Sequence, residues 1–474
     1  MLKNYCYKGL SMKKLLYAGV GRIILLLLCA VGMLHGVDTP VAYKPTMHAA
    51  ELRNNPENWV ANFGISYGQG SARRSWDGIG RKVDALSLYG VTNITRLGMG
   101  LQSFTGKAVT GQYWNATNNG LFDYLTTQGT DGQIAFTGKM EATHCDLNIE
   151  QNIVAGFFAQ LSLPVRNIKV SHLGYVNQGS ATITNATSGT TTIATFMDNV
   201  LPTILLENGF TNGLFAGYSK TTLPEAMVLF GWQGSNNKSF GIIDEATGRL
   251  QAGVIIPLAG QSDQDVLFSM PVAYDGFWGV HSRFDLEVGL WKMLVLGGRA
   301  GLSVFMSDSR DMRVYTDCGY GTIQGPFQSG WINLQKAHVA VDKGAIWDLE
   351  LRARLQNFLW GFFAQASIAY ARQEDSHLHA RDSQLLQRVV TAAAALTVPV
   401  YLSVDALINK DPKLKAWERL DLGFLIGYDF KKHAQTGNFT PAIQLEYLIP
   451  LSGKRAMVAD MLAGGISLQV AFDF

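Results

Sequence analysis

From residue 59 onward, apolar and polar residues alternate with period two over most of the chain. In "NIVAGFFAQLSLPV", Ile153, Ala155, Phe157, Ala159, Leu161 and Leu163 are apolar, opposite Gly156, Gln160 and Ser162. "FWGVHSRFDLEVGL" sets Trp278, Val280, Phe284, Leu286, Val288 and Leu290 against His281, Arg283, Asp285 and Glu287. "IWDLELRARLQN" sets Trp347, Leu349, Leu351, Ala353 and Leu355 against Asp348, Glu350, Arg352, Arg354 and Gln356. Successive side chains of a strand point to opposite sides, so each stretch predicts a strand with one apolar and one polar face. "FLWGFFAQASIAY" reverses the sense after Gln356-Asn357, as the return arm of a hairpin does. "WERLDLGFLIGYDF" and "FTPAIQLEYLIPL" repeat the alternation. One segment breaks it: "FMDNVLPTILLENGF", Phe196 to Phe210, predicts a short helix around Pro202, placed either in a barrel mouth or on the surface. The prolines of "LSLPVRN", "VIIPLAG" and "YLIPLSG" mark strand ends, where ladder pairing stops.

Such strands fit a soluble double sheet, with the apolar face as core, or a membrane barrel, with the apolar face toward lipid. Aromatic placement favours the second. Trp278, Trp291, Trp347, Trp360, Phe362, Tyr370, Tyr428, Phe430 and Tyr447 fall at or near strand ends, as the two aromatic girdles of a membrane barrel do. The strands also run about 10 to 14 residues, against a usual 5 or 6 in soluble sheets. A spanning sheet must close on itself, because an open edge would leave backbone groups unpaired in lipid. The last stretch, "ISLQVAFDF", supplies a closing strand: Ile466, Leu468, Val470, Phe472 and Phe474 share one face, and "VANFGISYGQ" near Val60 is its expected partner. This terminal strand resembles the closing strand of bacterial outer-membrane β-barrels, which ends in Phe after alternating apolar residues. The resemblance implies the bacterial outer membrane as location, its lipid as surroundings, and the barrel assembly machinery as the partner that reads the terminal strand. The expected fold is all-β: a transmembrane antiparallel up-and-down barrel with an even number of strands, about 16 in a range of 12–18. Long connections fall at 101–131, 177–224, 307–344 and 372–390.

Composition adds to this picture. Charged residues make up 16% and apolar residues 47%, where an ordinary soluble protein carries about 25% charge. A net charge of +2 argues against a nucleic-acid footprint, which needs a clustered basic excess. Lys13, Lys14 and Arg22 precede an apolar run from Ile23 to Leu34 and a small residue at Gly36, the pattern of a cleaved secretory signal over 1–36, with Met12 as an alternative start. Residues 37–474 then form a single barrel domain with long loops. No run of 18 or more apolar residues follows Gly36. Cys145 and Cys318, the two cysteines of that domain, are read either as a bridge or as free thiols.

Catalytic signals are few. "GISYG" matches G-x-S-x-G, but Ser66 sits inside an alternating strand with no helix after it. Ser171-His172, His281-Ser282 and Ser376-His377 are neighbours on strands and face opposite ways, which leaves only a cross-strand dyad. His377 and His379 lack a third metal ligand in sequence. "GLQSFTGKA" misses the phosphate-loop spacing and ends on Ala108. No enzyme activity, cofactor or metal is expected. The polar strand faces carry more. Arg283, Asp285, Glu287, Arg299, Asp348, Glu350, Arg352, Arg354, Arg419, Asp421 and Glu446 point into the lumen if the apolar faces meet lipid, because an Arg or Lys at the lipid midplane costs about 2–4 kcal/mol. Acidic and basic rows in a lumen filter polar solutes. The expected function is therefore a porin-like channel for passive diffusion of small hydrophilic solutes. An adhesin or structural barrel acting through its loops, and a membrane-embedded hydrolase, stand as alternatives, and a homo-oligomer is left open.

Overall fold

The computed structural model describes residues 59–93, 133–179, 182–185, 189–207, 209–236, 241–315, 332–333, 335–359, 361–381, 404–430 and 439–472. The expected signal segment, "GLQSFTGKA", Cys318 and Phe474 lie outside them. Twelve antiparallel strands pair in sequence order and close into one ring. They are β1 (Trp59–Trp76), β2 (Gln133–Val154), β3 (Phe157–Asn177), β4 (Glu225–Asn236), β5 (Ile243–Pro257), β6 (Gly279–Leu290), β7 (Leu294–Phe305), β8 (Ile346–Leu359), β9 (Phe362–Gln373), β10 (Trp417–Asp429), β11 (Phe439–Lys454) and β12 (Ala456–Phe472). Closure is made by β1, which pairs with β12 from Trp59↔Phe472 to Trp76↔Ala456 and with β2 from Ala61↔Gln151 to Ala72↔Met140. The terminal strand thus pairs with the stretch expected. With strands about 4.8 Å apart and tilted about 40°, a ring of this size has a backbone radius of about 12 Å.

Twelve strands replace the expected sixteen. The described residues also hold strands outside the barrel, within the stretches read as long connections: Asp308–Val314, Gln335–Asp342 and His377–Ala380 form a separate three-stranded sheet, and Thr182–Asn185 pairs with Gly189–Thr192 as a hairpin. Local alternation reports a half-buried strand without saying which sheet it joins. Two further expectations change in detail. β8 runs on to Leu359 and β9 starts at Phe362 after Gly361, which has φ +113°, so the chain does not turn at Gln356-Asn357. Pro257 does end β5, but Pro164 and Pro450 lie within strands. Each sits at a gap in the ladder: β3 pairs with β4 only as far as Ser162 and with Tyr218–Thr222 only from Arg166, while β11 pairs with β12 only up to Leu448. The missing N–H costs little there.

The connections sort by end. One end carries the short turns, among them Ala155-Gly156 and Trp291-Lys292, all four with positive φ as the twist-matched hairpin turn requires. The other end carries 77–132, 178–224, 258–278, 306–345 and 374–416, besides the single-residue turn at Arg455.

On the outer face the apolar residues stand exposed, including Phe230, Leu250, Val280, Phe284, Leu349, Ile368, Phe424, Ile426 and Leu445, with Leu351 at 71%. Ile466, Leu468 and Val470 lie on this face, partly covered. A twelve-residue strand such as β6 spans about 30 Å at a tilt of about 40°. That clears the apolar band of about 25 Å typical of outer-membrane barrels. Aromatics gather at both ends: Phe157, Trp232, Trp291, Phe362 and Tyr428 toward the short turns, Trp278, Trp347 and Tyr370 toward the long loops. Near the long loops the outer face turns polar: Lys139 pairs with Glu141, Lys454 with Glu418 at 2.9 Å, and Tyr447 Oη donates to Asp460 at 3.2 Å.

Two apolar lobes fill the long-loop end. In the first, a helix running through Ile193–Thr195, Phe196–Val200 and Leu201–Glu207 packs Phe196, Met197, Leu201 and Leu205 against inner-face residues of β2 and β3, such as Met140, Ile168 and Val170, and against Leu267 and Phe268. The helix expected near Pro202 therefore starts earlier and sits in the mouth. In the second lobe, the three-stranded sheet and the helix Val404–Ile408 bury Val314, Val339, Val341, Leu378 and Ile408 with Phe277.

Candidate inner-face site

Because each strand alternates, the residues opposite the exposed apolar ones fall on the inner face. On β6, β7 and β8 these are His281, Arg283, Asp285, Glu287, Arg299, Ser303, Asp348, Glu350, Arg352 and Arg354. They form one ladder of charge. Asp285 takes Arg283 Nε at 2.7 Å and Arg299 Nε at 2.7 Å; Arg299 Nη1 reaches Glu350 at 2.9 Å. Glu287 holds both Arg352 Nη2, at 2.9 Å, and Arg354 Nη2, at 3.2 Å. These pairs run along the wall: Arg283–Asp285 within β6, Arg299 of β7 to β6 and β8, and Arg352 and Arg354 of β8 across β7 to Glu287 of β6. The arginines lie flat because β7 carries glycine beneath them: a Cβ at Gly297 would stand 2.9 Å from Arg352 Nε, and one at Gly301 would collide with the Asp348 carboxylate. Asp285 is 2% exposed and Arg299 7%, so water reaches the ladder only at its edges.

The other expected residues lie apart. Arg419 and Asp421 on β10 pair at 2.6 Å, and Arg419 Nη2 donates to the Ala459 carbonyl of β12 at 3.2 Å. Glu446 is on the inner face of β11, half-buried, away from the ladder. Two groups were missed in the sequence. Arg166 of β3 pairs with Asp146 of β2. Arg249 of β5 reaches Glu150 of β2 at 2.5 Å, contacts Gln160 and Gln251, and lies 3.9 Å over the Phe158 ring. The parity that located Arg352 would also have found "CDLNIE", where Asp146, Asn148 and Glu150 alternate with Leu147 and Ile149.

Facing the ladder across the ring, β12 and β1 present Ala463, Gly465, Ser467, Gly64, Ser66 and Gly68. A soluble barrel hides apolar residues inside and shows charge outside; this one does the reverse on a closed sheet, in which each of the twelve strands has a partner on both sides. The chain folds as a closed β-barrel with its apolar face turned outward, an architecture made for lipid. No family model matches this barrel, and no curated protein matches it. Solved structures similar to the barrel include an outer membrane channel from Pseudomonas putida F1, at 7% identity over 90% of this chain and 100% of that one, TM-score 0.43. They also include a Pseudomonas aeruginosa FadL homologue, at 10% identity over 93% and 100%, TM-score 0.30, and the beta domain of the Bordetella autotransporter BrkA, at 7% over 88% and 100%, TM-score 0.32. Likeness at this level concerns barrel architecture and carries no solute or partner across.

The remaining chemistry signals resolve as follows. Ser66 is a buried inner-face residue of β1. Ser171 and His172 do not face opposite ways: φ of 54° at His172 breaks the alternation and sets Nδ1 3.1 Å from the hydroxyl. His281 Nδ1 lies 2.9 Å from Ser303 Oγ, a cross-strand pair, with Ser303 fully buried. Among the described residues no carboxylate hydrogen-bonds either ring. His379 sits between Asp342, at 3.1 Å, and Asp405, at 3.2 Å. Among the described residues no cluster has a metal-ligand arrangement. Cys145 carries a free thiol on β2.

Proposed function

We propose that this outer-membrane barrel is a channel through which small hydrophilic solutes diffuse passively, with the inner-face charges lining the path. The observation that supports this reading is the contrast between the β6–β8 ladder, whose ion pairs run along the wall, and the small uncharged residues opposite. Long guanidinium groups lie flat on one side, while the other carries glycine, serine and alanine with His144 lying over Gly68 and Gln444 over Gly465, so the proposed path is a narrow one. Burial of the ladder makes the path narrow, so the solutes are small. Transport needs no chemical step. In the usual orientation of such barrels the short turns are periplasmic and the long loops extracellular. Solutes then meet the two-lobed mouth first.

The test is single-channel conductance of the full chain, refolded in detergent and inserted into a planar bilayer. Stable conductance steps are expected. The double variant Arg352→Ala and Arg354→Ala removes two cations and should shift the ion preference toward cations; unchanged selectivity in a folded variant would remove these residues from the path. A second reading rests on the mouth: its lobes present a folded surface at the long-loop end, as a barrel acting through its loops would. A heat-modifiable barrel that conducts nothing would favour that reading.

A further inference from the structure

Between the two apolar lobes of the mouth lies a cavity of about 180 Å³. Its walls come from both lobes: Phe268 and Leu267 from the helix side, Phe277 and Leu378 from the sheet side. Its polar lining is mainly cationic, with Arg310, Arg313, Lys343, Lys413, Lys415 and Arg455 against Asp263, Asp275 and Asp411. Some of these charges are already matched. Arg310 holds Asp308 at 2.6 Å, Arg313 holds Asp265 at 2.7 Å, and Lys415 lies 3.4 Å from Asp375. Asp275 receives the Ser262 N–H and Asp411 receives the Asn333 amide. Lys343 and Arg455 differ. Lys343 Nζ donates to the Tyr274 carbonyl at 2.8 Å and stands 4.9 Å from the Phe305 ring and 5.1 Å from the Phe277 ring. Arg455, on its one-residue turn, donates to the Ala416 carbonyl at 3.0 Å. Neither is within ion-pair distance of a carboxylate among the described residues. Both keep donors in reserve, since an ammonium has three and a guanidinium five.

We propose that this cavity binds a small organic monoanion, a carboxylate carried on an apolar or aromatic body, held by Lys343 and Arg455 with its body between Phe268, Phe277 and Leu378. The volume sets the size, being below the roughly 300–1,000 Å³ of sites for drug-sized ligands. The apolar flanks select against inorganic anions, which would lose hydration without gaining contact. Burial already holds the Lys343 ammonium down to about 8, and Asp275 and Glu225 offset this only in part while Arg310 adds to it. An incoming carboxylate would supply the partner that this charge lacks. This inference names the solute class for the channel reading and rests on the mouth being on the solute's route, but binding itself can be measured without conduction.

The experiment is calorimetric titration of the full-length barrel, folded in detergent, with benzoate, benzamide and benzylammonium. Benzoate should bind at least about tenfold more tightly than the other two, as a charge-assisted hydrogen bond implies. Lys343→Gln should lose that preference, Lys343→Arg should keep it, and Arg372→Gln, on the outer face, should leave it unchanged. On the native protein, benzoate affinity should fall as pH rises through about 8, because the charged form of Lys343 is then lost. Arg455 and Arg310 also face the site and keep a residual affinity above that pH, since a guanidinium stays protonated. Equal binding of benzoate and benzamide overturns the proposal, and so does a pH-independent affinity. Lys343-dependent binding by a barrel that conducts nothing would sink the channel reading and leave this one standing. Conduction without any preference for benzoate would do the opposite.

Discussion

The inner faces of β6–β8 and of β12–β1 stand opposite each other in one ring, yet the first carries Arg283, Asp285, Glu287, Arg299, Glu350, Arg352 and Arg354 and the second Gly64, Ser66, Gly68, Ala463, Gly465 and Ser467. Both are buried, but for different reasons. On the charged wall each side chain covers its neighbour, and one carboxylate serves two guanidiniums, so removal of that carboxylate takes the partner from both. On the small wall no charged residue depends on a partner, and what matters is volume. The comparison teaches that one barrel interior can be covered in two ways, by paired charge on one side and by small residues beneath neighbouring side chains on the other.

Glu287→Ala should separate the two walls most sharply. It leaves Arg352 and Arg354 without their shared carboxylate, and breaking a buried pair costs about 3–5 kcal/mol. The unfolding midpoint in urea should fall accordingly; a loss under about 1 kcal/mol, the scale of exposed pairs, would mean that the ladder is solvated. Next comes a contrast within one strand. Arg352 is at home on the inner face, but Leu351→Arg puts the same group on the outer face at a residue 71% exposed, at a cost of about 2–4 kcal/mol in the bilayer. If refolding yield and stability in lipid were unchanged, the outer face would not meet hydrocarbon. The smallest effect is expected on the small wall, where Ser66→Leu overpacks by about 1–3 kcal/mol and should lower conductance at unaltered ion preference. Full conductance in that variant would take the β12–β1 stripe out of the path.

Much of the wall was legible in the chain. The sign of the alternation gave the outer and inner face of β6, β8, β10 and β12, because charge is costly in lipid and only one assignment avoids it. The partner of the terminal strand followed from the need to close. The strand number did not follow. "KAHVAV" sets Ala337, Val339 and Val341 against Lys336 and His338 as a barrel strand would, and only its pairing with "SRDMRV" and His377–Ala380 shows that it builds a lobe over the mouth. The inner-face list was incomplete for a related reason: Arg166 and Arg249 lie outside the stretches whose alternation was read, and their partners Asp146 and Glu150 lie 20 and 99 positions away.

Sequence alone determined the class of structure, since period-two patterning, sparse charge and an apolar terminal strand admit few environments and a sheet in lipid has no stable open form. Tertiary structure decided everything that depends on distance across the ring. It set twelve strands, gathered Lys343 and Arg455 into one cavity from positions 112 residues apart, and laid a charged wall opposite a small one. Alternation is a property of neighbours along a strand, whereas a site in a barrel is a property of strands that meet only when the ring closes.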